Sequence, residues 1–252
     1  MDRNRARGRW RAAPAIGKKP SPRILVVAVF VLGLTLMVTG SAYGYCAGLP
    51  FSSGNFAGGG SQDFSLAGGL QAVSGYIKGG NYSPVPGDAS AWVMLHDRWV
   101  SGTRYAQDGW IKRNTDSSYL VFAEWNPGDR MLWVSGPQFS HTYEVDALAD
   151  NSYQFWYDGF AWFTTTGGQG WWPNQTEYFS ESHDQASHFP GSIGYEIEHW
   201  LLSAKNNEQW VSADLSSGWL INDSSGQIVG RSIVSAHDFY TWDRRCSDAP
   251  TG

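Results

Sequence analysis

From residue 91 onward, this chain of 252 residues alternates short apolar runs with clusters of Gly, Asn, Asp, Ser and Pro. Several of the runs alternate apolar and polar positions with a period of two, the mark of half-buried strands. The pattern predicts strands over 91–96, 105–113, 118–125, 130–134, 142–148, 153–157, 160–165, 177–182, 193–199, 209–213, 218–221 and 227–235. Asp158-Gly159, set between aromatic runs, predicts a two-residue hairpin turn, because both turn positions favour positive φ. Residues 47–90 are rich in Gly, Ser and Pro and read as an extended lead-in with one strand over 70–77. Only 198–207 has a pattern a helix could use, and it is short. No internal repeat is visible. The class is all-β, and this many short strands need two packed sheets.

The first 44 residues have a different character. Eight basic residues, from Arg3 to Arg23, precede an almost continuous apolar run, 24–38, and then small residues at Ser41-Ala-Tyr-Gly44. That order is the order of a secretory signal. Extended to residue 45, the run approaches the length that spans a bilayer, so an uncleaved anchor over 24–45 is the alternative. The organisation expected is therefore 1–44 signal or anchor, 45–90 lead-in and 91–252 β-sandwich. The protein should be extracellular, and it should touch membrane only through that first segment.

Setting the leader aside changes the charge. The whole chain has 18 basic and 23 acidic residues; beyond residue 44, 10 basic face 22 acidic, a net of −12. Nucleic acid and anionic membrane are poor partners for such a surface. The 14 Trp, 12 Tyr and 12 Phe argue against disorder and for a large core. Cys46 and Cys246, the only cysteines, lie near the two ends of the exported part, where an even pair most simply forms a disulfide.

Candidate chemistry centres on Tyr105-Ala-Gln-Asp-Gly-Trp110 and Gln175-Thr-Glu-Tyr-Phe-Ser-Glu181. A glutamate on one strand can activate water, and a glutamine on another can donate to a developing oxyanion. Trp171 and Trp172 could instead stack on sugar rings, which makes a non-catalytic glycan-binding module the alternative, with a cell-surface structural sandwich as the third option. His183 and His188 lack the spacing of a zinc motif, so no metal is expected, and the proposed chemistry needs no cofactor.

Two resemblances sharpen this reading. His141-Thr-Tyr-Glu-Val145 followed by Tyr153-Gln-Phe-Trp-Tyr-Asp-Gly159 resembles a strand pair of concanavalin A-like glucanases. Their Glu-x-Asp-x-Glu strand is missing, since Glu144-Val-Asp146 lacks the third acid. More of the chain is similar to the glutamic peptidases (eqolisins). Trp92-Val93, Gln107-Asp-Gly109, Glu124-Trp-Asn-Pro127 and Glu177-Tyr-Phe-Ser-Glu181 occur in that family's order, across residues 90–197. The resemblance implies a concanavalin A-like jelly roll of two antiparallel sheets. It also implies a secreted, acid-active hydrolase of polypeptides with Gln107 as the oxyanion donor, Glu177 as the base and Glu181 as its substitute, in a cleft shaped by Trp92, Glu124 and Trp125. The protein itself is expected to be a monomer. Two departures stand out. Met94-Leu-His-Asp97 replaces a Gly-x-Asp-Gly turn, and Asp108 replaces a threonine, which would place a charge beside the site. The chain is also similar to uncharacterised secreted actinobacterial proteins.

Overall fold

Sixteen strands form, and no helix is present among the described residues. The computed structural model describes residues 56–64, 69–78, 89–99, 104–113, 115–116, 119–128, 130–133, 140–182, 188–223 and 226–247. The leader, Cys46 and His183 lie outside them. No helix among the described residues is long and apolar enough to cross a membrane, and the candidate anchor 24–45 is not among them.

In chain order the first eight strands are β1 (Phe56–Asp63), β2 (Leu70–Ile77), β3 (Ala89–His96), β4 (Tyr105–Lys112), β5 (Leu120–Asn126), β6 (Arg130–Trp133), β7 (His141–Ala147) and β8 (Tyr153–Tyr157). They continue as β9 (Phe160–Thr164), β10 (Gln175–Ser182), β11 (Ser192–Ile193), β12 (Ile197–Asn206), β13 (Gln209–Ser212), β14 (Trp219–Asn222), β15 (Val229–Ser235) and β16 (Asp238–Ser247). One sheet runs β14-β1-β10-β3-β4-β5-β6; the other runs β11-β16-β12-β2-β7-β8-β9, with β13 added to β12 and β15 to β16. All pairings are antiparallel except β11 with β16, so the second sheet is mixed rather than purely antiparallel.

The core lies between the sheets, where the inward residues of each strand meet. Val93, Trp110, Val121 and Tyr178 from the first sheet are fully buried alongside Val73, Tyr143, Tyr153 and Phe155 from the second. Burying aromatic rings of this size supplies most of the stabilisation available to an all-β domain. The hairpin at Asp158-Gly159 forms as its sequence requires, with φ of 49° and 74°.

Three expectations need correction. Residues 198–207 are not helical: β12 buries Ile197, His199, Leu202 and Ala204. A bulge between Trp200 and Ser203, with Leu201 at φ 53°, breaks the period of two and hides the strand. The Gly-rich stretch is more than a lead-in, because β1 sits between β14 and β10, and β2 sits between β12 and β7. The final strand, β16, gave no clear run in the sequence, since its Asp and Arg residues interrupt the apolar pattern.

Cys246 is buried at 1% exposure, which suits a cystine and leaves the expected pairing with Cys46 to covalent analysis. Native purified protein should present no alkylatable thiol by mass spectrometry. Two labelled cysteines would contradict the pairing.

Candidate active site

The outer face of the first sheet carries the candidate residues, and strand register explains why. In β10, Thr176, Tyr178, Ser180 and Ser182 are buried, so the alternate residues Gln175, Glu177, Phe179 and Glu181 point away from the core. Pairing of β10 with β3, β3 with β4, β4 with β5 and β5 with β6 then aligns Glu177, Met94, Gln107, Glu124 and Arg130 on one rung. One β3 strand separates Glu177 from Gln107, which puts their Cα atoms about 10 Å apart at the usual strand spacing. Two long side chains rising from those positions can address opposite sides of one small group held over Met94.

Neighbouring rungs on the same face complete the cleft. On one side, Asp63, Gln175, His96 and Tyr105 align. On the other, Gly59, Phe179, Trp92, Gly109 and Phe122 align. The Trp92 and Phe179 rings stack with centroids 5.3 Å apart, and the glycines flank them. A Cβ on Gly109 would lie 2.9 Å from Cβ of Trp92 and 2.1 Å from the Ala91 carbonyl oxygen. A Cβ on Gly59 would lie 2.8 Å from Cγ of Phe179. Only glycine admits this aromatic pair, so Gln107-Asp-Gly109 supplies a cleft residue and the space beside it. The result is an open cleft of about 410 Å³ lined by Trp92, Met94, His96, Tyr105, Gln107, Glu124, Arg130, Glu177 and Glu181.

Hydrogen bonds fix most of its polar groups. Glu124 is the hub at one end: it accepts from Tyr105 Oη at 3.0 Å, from Gln107 Nε2 at 3.1 Å and from Arg130 Nε at 2.9 Å. The Gln107 carboxamide is thereby oriented with one N–H committed to Glu124, and its second N–H can serve a ligand. Burial, reinforced by the Glu124 carboxylate, raises the Tyr105 phenol well above its ordinary range, so it stays a donor. At the other end, the Trp92 indole N–H donates to Glu181 Oε2 at 3.1 Å. Glu177 Oε1 lies 3.1 Å from Nδ1 of His96. Burial works against a charged His96 ring, yet Glu177, with help from Gln175 and Asp97, outweighs it and raises the ring above its ordinary 6.5.

Gln107, Glu177, Glu181, Trp92 and Glu124 thus share one cleft; Trp125 and Trp171 do not line it, and Trp172 lies apart from it. Trp125 faces the other sheet, stacked on Phe163 at 5.1 Å and near Phe155 at 6.1 Å, because the strand pleat turns it away from Glu124. Trp171 is 3% exposed and stacks on Tyr153 at 4.6 Å; it is core. Trp172 is 37% exposed but lines a separate hollow with Gln71, Asp146, Lys205 and Glu208. Asp108 places no charge beside Gln107, because it points into the interior and is fully buried. The sequence reading also missed His96, Tyr105 and Arg130. The positions of His96 and Tyr105, even steps along β3 and β4 from Trp92 and Gln107, carried the signal for the first two.

No family model matches the chain, and no curated protein does. Among solved structures, it is similar to Scytalido-glutamic peptidase with a peptide-based transition-state analog, at TM-score 0.56 and 15% identity, covering 79% of this chain and 100% of that one. SCP-B, a member of the eqolisin family in complex with the tripeptide Ala-Ile-His, gives TM-score 0.55 at 15% identity over the same shares. Likeness to Bacillus licheniformis β-glucanase is far weaker, at TM-score 0.28 and 15% identity over 48% of this chain and 69% of that one. The fold is a concanavalin A-like β-sandwich that resembles the glutamic peptidases.

Proposed function

We propose that this protein is a peptide-bond hydrolase of the glutamic type. One observation carries the reading: a carboxylate, Glu177, and an oriented carboxamide, Gln107, stand on the same rung of the outer face of one sheet, within one cleft. Glu177 takes a proton from a water molecule whose oxygen attacks the peptide carbonyl carbon. The carbonyl π-pair moves to oxygen, and the second N–H of Gln107 donates to that oxyanion. When the tetrahedral intermediate collapses, the C–N bond breaks and the proton held by Glu177 goes to the departing nitrogen. Trp92 and Phe179 offer an apolar floor beside the reacting group, and Glu124 keeps Gln107 in position. The likeness to Scytalido-glutamic peptidase and SCP-B supports the reading through fold alone.

Glu177 is preferred to Glu181 as the base because it shares the rung of Gln107, whereas Glu181 aligns with Ser90 and is engaged by the Trp92 indole. The test is cleavage of an unfolded protein substrate across pH 2–7. Wild-type protein should cleave in the acidic part of that range, and Glu181→Gln should retain most of the rate. Loss of activity in Glu181→Gln equal to that in a Glu177 variant would overturn the assignment of the base. A correctly folded wild type with no cleavage would overturn the hydrolase reading.

A further inference from the structure

His96 stands an even number of positions along β3 from Trp92 and so reaches the cleft face, and its surroundings define its chemistry. Nδ1 lies 3.0 Å from Gln175 Oε1 and 3.1 Å from Glu177 Oε1. The Gln175 amide is held by its other end, since Nε2 donates to Asp63 Oδ1 at 2.7 Å, and Asp63 is ion-paired with Arg98. Both atoms facing Nδ1 are therefore acceptors, and Nδ1 must carry a hydrogen whether the ring is neutral or charged. The series Arg98, Asp63, Gln175, His96, Glu177 crosses from β1 to β10 and β3, and it ends on the proposed base. Of the other groups near the ring, Asp97 adds a second negative charge and is paired with Arg104 at 3.7 Å. Tyr105, opposite on β4, directs its hydroxyl to Glu124.

We propose that His96 is the positioning residue of the hydrolytic site: its Nδ1–H holds the Glu177 carboxylate in one orientation toward the water it activates. The inference rests on the hydrolase reading given above. The ring bond removes rotational freedom from a flexible glutamate, and misplacement of a reacting group by about 1 Å can cost on the order of 100-fold.

Two measurements test the proposal separately from the function. The first is NMR titration of His96 in wild-type protein and in Glu177→Gln, which needs no activity. The midpoint should lie above 6.5 in the wild type and fall in the variant, with Nδ1 protonated in both. An unchanged midpoint overturns the pairing. The second is kcat and KM for His96→Ala and for His96→Asn, whose amide can replace the Nδ1–H donor. His96→Ala should lose about 10- to 100-fold in kcat and keep its KM, and His96→Asn should recover part of that loss. Equal losses in the two variants, or a loss carried by KM, indicate a merely structural role and overturn the proposal. If wild type hydrolyses nothing, the hydrolase reading and the positioning role built on it both fail, while the titration still decides whether the ion pair exists.

Discussion

Glu177→Gln is expected to abolish peptide hydrolysis while leaving the sandwich folded. The substitution preserves size and hydrogen-bonding reach but removes the group that accepts the water proton, and the side chain lies on the outer face of β10, so the core is not touched. General-base catalysis alone is worth about 10²–10⁴-fold. Because the same side chain returns the proton to the leaving nitrogen, both halves of the reaction suffer. Gln107→Ala should be less severe, about 10²–10³-fold in kcat, as for loss of one oxyanion donor. It also frees one acceptor site on Glu124, which keeps its bonds from Arg130 and Tyr105. Circular dichroism and thermal melting of both variants should match wild type, which separates lost chemistry from lost fold.

The second large effect concerns stability. Asp108 is fully buried between the sheets, and its carboxyl oxygens meet the surrounding donors only in poor hydrogen-bond geometry; nearby, the Tyr143 hydroxyl is likewise buried. Burial drives the Asp108 carboxyl well above its ordinary 3.8. The indole of Trp162 and the backbone amides of Gly109, Trp156 and Glu144 surround it and temper this without reversing it. The folded protein therefore keeps a proton here that the unfolded chain releases above about pH 4. Stability from this group is complete below the unfolded value and is lost as pH rises through the folded one. Asp108→Asn, neutral at every pH, should be more stable than wild type above that point, by a margin that widens toward neutral pH and nearly vanishes in acid. Each kcal/mol corresponds to about 2–4 °C in melting temperature for a domain of this size. A margin independent of pH between 3 and 8 would show that Asp108 is not held protonated.

His199 acts in the opposite sense. It is fully buried, with Nε2 2.9 Å from Ser180 Oγ, and its ring is stacked on Phe239. Burial pushes its pKa down to about 3. The unfolded chain takes up this proton near pH 6.5 and the folded chain does not, so stability falls as pH drops from 6.5 toward 3. Asp108 thus favours the acidic range while His199 limits how acidic it can be. Because Asp108→Asn leaves His199 alone, the variant should still lose stability on the acid side.

Much of this architecture was written locally. β8, with its hairpin to β9, and most first-sheet strands follow from alternation and turn residues. Gln107, Glu124, Glu177 and Trp92 converge because their parity along β4, β5, β10 and β3 places them on one face. What was not legible depends on partners distant in sequence. The alternation of β12 is broken by the bulge at Leu201, and β1 reads as linker because Gly58, Gly59 and Gly60 make room for Val229, Phe179 and Trp219, each more than a hundred residues away. Trp125 shows the same limit within one motif. It adjoins Glu124 in sequence, and for that reason the pleat sends it to the opposite face. His96 looked like a departure from a family turn, yet β3 extends as far as His96 and delivers it to the cleft.

The central claim is that Glu177 and Gln107 act together on one water and one carbonyl. It is tested most directly by kcat and KM on a single defined peptide, across pH 2–7, for wild type, Glu177→Gln, Gln107→Ala and the double variant. Residues that act as a unit are strongly non-additive, so the double variant should be scarcely slower than Glu177→Gln alone, with KM little changed throughout. Cleavage that survives Glu177→Gln, or losses in the two single variants that simply multiply in the double, would contradict the account.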